Sequence, residues 1–210
     1  MKKTIIAAWF VFALLSQGLA QDKGSGVKSP LPRHAWAFRS QEMGGLVSGE
    51  QGNYGQGYTI NGVYKGPWFM GIGAGVDFYR YRTVPLFLSL EREWMQPGHD
   101  GWFTRLDVGV NVPWQSAPPT LYYPSGTVIG SHLLTAPYWD AEFGYKVFVN
   151  AHRNQAILIS AGYSFKEVQN KETTVNYCPI AALCNTDPSF NTRRYTFYNR
   201  RLSLQVGYQF

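Results

Sequence analysis

The sequence predicts an all-β fold, an eight-stranded antiparallel up-and-down transmembrane β-barrel. Three observations predict it. The chain opens on an export segment, no later stretch is apolar enough for a membrane helix, and from residue 35 onward apolar residues recur with period two.

The export segment comes first. Lys2 and Lys3 precede an apolar run over 5–15, and Gly18 and Ala20 supply the small residues of a cleavage site before Gln21. This pattern predicts a signal peptide over 1–20, cleaved after Ala20, and therefore export; the period-two segments from residue 35 onward make the bacterial outer membrane the expected destination. The run is too short for a membrane helix. Residues 21–34, with Gly24, Gly26, Pro30 and Pro32, read as a periplasmic N-terminal linker. The barrel is expected over 35–210.

Composition agrees. Only 15% of residues are charged and 16% are aromatic, with 22 Gly. Soluble domains carry about 25% charged residues. The formal charge is +6 and loses two positive charges with Lys2 and Lys3. That modest excess, with no basic helix, points away from nucleic acid and toward anionic lipid head groups.

The strands follow in order. Trp36 and Phe38 open a weak one over 35–46, and Tyr58, Ile60 and Tyr64 mark a short one over 58–64. Over 68–78, Trp68, Met70, Ile72, Ala74, Val76 and Phe78 share one face, against Gly71, Gly73, Gly75 and Asp77. Over 84–94, Leu86, Leu88, Leu90 and Trp94 oppose Phe87, Ser89, Glu91 and Glu93. Over 104–114, Leu106, Val108, Val110 and Trp114 oppose Arg105, Asp107 and Gly109. Over 139–149, Trp139, Phe143 and Val147 oppose Asp140, Glu142, Gly144 and Lys146. Over 157–165, Ile157, Ile159 and Tyr163 oppose Ser160, Gly162 and Ser164. Over 198–210, Leu202, Leu204, Val206 and Phe210 oppose Arg201, Ser203 and Gln205. The strong segments run about 9–11 residues, the length a tilted strand needs to cross a bilayer, and aromatics sit at both ends of the apolar faces. Connections 65–67, 96–100 and 150–155 are short, whereas 115–136 and 167–192 are long. Short periplasmic turns and long outer loops are the membrane-barrel pattern, and 80–83 alone departs from it.

Residues 57–62 (GYTING), 69–79 (FMGIGAGVDFY), 84–88 (VPLFL) and the ending 202–210 (LSLQVGYQF) resemble small eight-stranded outer-membrane barrels of the Bacteroidota type, the kind represented by OmpX and the OmpA transmembrane domain. The terminal aromatic resembles the signal read by the barrel-assembly machinery. The resemblance implies the barrel and no particular activity.

Candidate sites are few. Cys178 and Cys184 in the last long loop predict a disulfide in an oxidising exterior. Asp77, Glu91, Glu93, Arg105, Asp107, Asp140, Glu142, Lys146 and Arg201 fall on the lumen face, where charges of both signs predict a salt-bridge network that fills the interior. Arg193, Arg194 and Arg200, near the outer boundary, are candidate contacts for lipopolysaccharide phosphates. No catalytic constellation, cofactor site or metal site is expected. These features predict a non-enzymatic structural or interaction protein that works through its outer loops or within a larger membrane complex. Outer-membrane lipid, lipopolysaccharide and other outer-membrane proteins are the candidate partners. The alternatives are a lipid hydrolase centred on His132, beside Ser131, and a small pore.

Overall fold

The computed structural model describes residues 36–94, 99–115, 126–150, 154–176 and 189–210. The expected signal peptide and linker, and both cysteines, lie outside the described residues. The described residues form nine strands: β1 (Ala37–Gly49), β2 (Gly52–Lys65), β3 (Trp68–Asp77), β4 (Thr83–Glu93), β5 (Gly101–Pro113), β6 (Gly126–Leu134), β7 (Ala136–Phe148), β8 (Ala156–Asn176) and β9 (Ser189–Gln209).

All pairings are antiparallel. The order β1-β2-β3-β4-β5-β7-β8-β9 returns to β1 through Gln41↔Gln209 to Gly49↔Arg201, so the sheet closes on itself. The last residue helps to close it: Phe210 N donates to Ser40 O and Ser40 N to Phe210 O, each at 2.9 Å. Closure matters energetically, because an open sheet leaves rows of backbone donors and acceptors without partners.

The eight-strand expectation needs one correction. β6 is a ninth strand, within what the sequence suggested was the loop 115–136. It pairs with β8 alone, Gly126↔Asn176 to Leu134↔Gln169, and runs in line with β7, which pairs with β8 from Tyr138↔Lys166 onward. Thr135 separates the two. The other expected loop, 167–192, is also largely strand, since β8 and β9 stay paired to Asn176↔Ser189. Beyond the ring stands an extension of β6 and the upper parts of β8 and β9.

Over most of the ring the outside is apolar. Ile72, Leu88, Leu202 and Leu204 are 69%, 67%, 66% and 58% exposed, whereas Glu91, Arg105, Lys146 and Arg201 are at most 2% exposed. A soluble barrel has the opposite arrangement. Inside, Met43, Tyr58, Ile60, Phe69, Phe87, Phe103, Tyr138 and Leu158 form the one apolar cluster described. The inward glycines make room for it. A Cβ on Gly73 or Gly109 would overlap Phe87, and one on Gly144 would lie 2.5 Å from the Phe103 ring.

Candidate functional site in the lumen and at the outer end

Strand alternation aims one residue in two inward, so neighbouring strands deliver charged side chains to shared depths of the lumen. Three groups result. At the end where Ala37 and Phe210 lie, Lys146 Nζ lies 2.6 Å from Glu91 Oε1 and 2.7 Å from Glu93 Oε1, and Arg39 Nη1 lies 2.7 Å from the same Glu93 oxygen. Gln41 Nε2 donates to Glu91 Oε2 at 3.0 Å.

In the middle, Glu142 is the hub. Arg105 Nη2 donates to its Oε2 at 2.5 Å, Ser160 Oγ to the same oxygen at 2.7 Å, and Tyr58 OH to its Oε1 at 3.0 Å. The Tyr58 hydroxyl also contacts Arg105 and Gln205. Arg105 Nε stands 3.4 Å from Asp107 Oδ2, an ion pair by distance without hydrogen-bond alignment.

At the far end, Asp77 Oδ2 lies 2.6 Å from Arg201 Nη1 and 3.2 Å from Lys166 Nζ. Lys166 also donates to the carbonyls of Tyr79 and Tyr81, at 3.0 and 2.9 Å. These bonds draw the short turn 78–82 over the end of the lumen. Arg80 permits the bend with φ of 59°, a conformation uncommon outside glycine. Its guanidinium lies 3.9 Å over the Phe197 ring. Both Tyr79 and Tyr81 are buried.

Eight of the nine expected lumen charges thus carry ion pairs. Asp140 is the correction. It faces Asp107 in register, and its bond is from Tyr138 OH at 3.4 Å, with no cation within ion-pair distance among the described residues. Arg39 and Lys166 were not foreseen. Arg39 lies on the weakly patterned β1. Lys166 continues the inward alternation of Leu158, Ser160 and Ser164, one residue past the expected strand end, so its parity was available in the sequence.

At the outer end, the three arginines do not form one cluster. Arg194 and Arg200 share the outward register with Tyr198, and Arg193 takes the opposite one, across from Glu172. Lys171 pairs with Arg194 in register and with His132 on the other side, giving an outward row across β6, β8 and β9. All three are exposed. Trp139, Phe165 and Tyr198 stack below it with centroids 5.9 and 6.1 Å apart. Near the opposite end, Arg92 lies 5.1 Å from the Trp68 ring and 4.4 Å from the Trp94 ring.

Ser131 and His132, the residues of the hydrolase alternative, do not share a face. Adjacent strand residues face opposite ways, and Ser131 Oγ donates to Asn170 Oδ1 at 3.0 Å on the other face. Among the described residues, no group of three His, Cys, Asp or Glu side chains is placed to hold a metal.

No protein-family description matches this chain, and no curated protein does. One similar solved structure is the outer membrane protein AlkL, determined by solid-state NMR in DMPC bilayers. It has 11% identity and a TM-score of 0.44, over 90% of this chain and 97% of that one. At that level the likeness adds nothing to the reading of the fold, which stands on the closed sheet and its exposed apolar face.

Proposed function

We propose that the closed ring is an eight-stranded transmembrane β-barrel of the bacterial outer membrane, with a plugged lumen and a non-enzymatic interaction role at its outer end. The observation that carries this is the inverted distribution of side chains: large apolar residues outside, paired charges inside. In water such an apolar face would be an aggregation hazard, and in lipid it is the solvated face. The charges leave almost no accessible surface inside, which favours a plug over a pore.

The outer end supplies the interaction surface. The upper parts of β6 and β9 pair only with β8, and among the described residues no strand covers their other edges. Such edges can accept a partner strand. The outward row of Lys171 and Arg194, with Arg200 below, sits beside the aromatic stack, where the phosphates of lipopolysaccharide would lie. Two measurements test the reading. Protein extracted from outer membranes should migrate differently on SDS gels before and after boiling, and vesicle binding should rise with phosphorylated lipopolysaccharide. Reversing Lys171, Arg194 and Arg200 to Glu should abolish that rise without changing gel migration. Unaltered migration on boiling would refute the barrel, and an undiminished rise in the triple variant would refute the phosphate site.

A further inference from the structure

The outer wall is not uniform. From β3 to β5 its outward positions are Met70, Ile72, Leu86, Leu88, Leu106, Val108 and other apolar residues, largely exposed. On β1 and β2 the corresponding positions carry Glu42, Gly44, Gly55, Gly57, Thr59 and Asn61, half-buried or exposed, and Ser40, which is buried. Register pairs Glu42 with Thr59 and Ser40 with Asn61. The side chains form a directed chain of hydrogen bonds. Ser40 Oγ donates to Asn61 Oδ1 at 2.8 Å, Asn61 Nδ2 to Thr59 Oγ1 at 3.3 Å, and Thr59 Oγ1 to Glu42 Oε1 at 2.9 Å. Glu42 Oε2 accepts nothing among the described residues.

Glu42 is four residues along β1 from Phe38 at the aromatic boundary, roughly 13 Å of strand. A carboxyl group facing lipid at that depth is costly and marks a functional surface. The outward glycines give a second, independent indication. Nothing in the barrel requires them: a Cβ on Gly44 or Gly55 meets no atom within 4 Å, and one on Gly57 meets only Met43 O at 3.4 Å. The inward glycines, by contrast, are forced by close neighbours. Small residues on a membrane-facing surface let another backbone approach closely.

We infer that this face is the contact between two copies of the chain, side by side in the membrane and related by a two-fold axis along the membrane normal. The inference rests on the transmembrane reading above. Register and hydrogen bonding favour a second copy as the occupant. An axis between β1 and β2 sets β1 of one copy against β2 of the other at equal depth. Glu42 then faces Thr59 and Asn61 of the second copy. Each copy offers one unfilled acceptor, Glu42 Oε2, and one unfilled donor, the second Asn61 Nδ2 hydrogen. A two-fold contact requires such self-complementarity.

The test uses the full chain in intact outer membranes, with Cys178 and Cys184 changed to Ser. Gly57→Cys should oxidise to a disulfide-linked dimer of the chain. Ile72→Cys, on β3 of the same barrel, should yield at least tenfold less. In detergent at sedimentation equilibrium, the unsubstituted chain should have dimer mass, and Gly44→Trp should have monomer mass with unchanged heat-dependent gel migration. Equal cross-linking at both positions, a cross-link from residue 57 to a different protein, or a monomeric unsubstituted chain would each overturn the proposal. Loss of heat-dependent migration in the unsubstituted chain would instead sink the barrel reading itself.

Discussion

The ring and the extension above it are made of the same strands with different outward faces. Within the ring, β8 sets Ile157, Ile159 and Tyr163 outward against Ser160 and Ser164 inward. Past residue 166 the same strand reads Glu167, Gln169 and Lys171 on one face and Asn170, Glu172 and Thr174 on the other. Hydrogen bonding to β9 continues without interruption. The backbone pairing therefore does not depend on the hydrophobic pattern. On the proposed transmembrane reading, the pattern records which solvent the outward face meets, and its end marks where lipid gives way to water.

Substitutions in the two regions should differ sharply. The largest effect is expected in the lumen. Lys146→Met leaves Glu91 and Glu93 with less compensation and should destabilise the barrel by about 3–5 kcal/mol, measured by denaturant unfolding from vesicles. On the outward face of the ring, Leu88→Arg should cost about 2–4 kcal/mol in the same assay. Thr196→Arg, outward on the extension, should change stability by no more than about 0.5 kcal/mol, as at an ordinary wet surface. Equal costs at residues 88 and 196 would break the comparison. Asp140→Asn should leave stability unchanged or raise it, since Asp140 faces Asp107 without an ion pair; a loss as large as that of Lys146→Met would show a missed partner.

The smallest effects concern the loops and conduction. Cys178 and Cys184 should be bonded in protein from the outer membrane, read as a two-proton mass difference on reduction. Changing both to Ser should leave the heat-dependent gel migration intact. In planar bilayers the barrel should show no steady single-channel conductance. Reproducible conductance abolished by Gly73→Trp would replace the plug with a pore.

Legibility in the sequence followed the same boundary. The strands expected over 68–78 and 84–94 were found within a residue of their ends as β3 and β4, because their two faces differ in polarity. β1 and β2 read weakly because Glu42, Gly44 and Thr59 interrupt the outward apolar face. β6 and the extensions of β8 and β9 were invisible, since they carry no apolar alternation and Pro118, Pro119 and Pro124 read as part of a loop. In the lumen, parity identified eight of the ion-paired residues. Partner choice, such as Lys166 holding Asp77 and the turn carbonyls, depends on registers between strands distant in sequence. Of the three candidate phosphate-contact arginines, Arg194 and Arg200 share the outward parity and Arg193 takes the opposite one.

The central claim is that the alternating face of the ring is solvated by lipid. Nitroxide labels placed singly at residues 86–91 on β4, in the chain lacking Cys178 and Cys184 and inserted in vesicles, test it directly. Collision rates with oxygen, which concentrates in lipid, should peak at 86, 88 and 90 and fall at 87, 89 and 91. Peaks at 87, 89 and 91, or no alternation, would contradict the account.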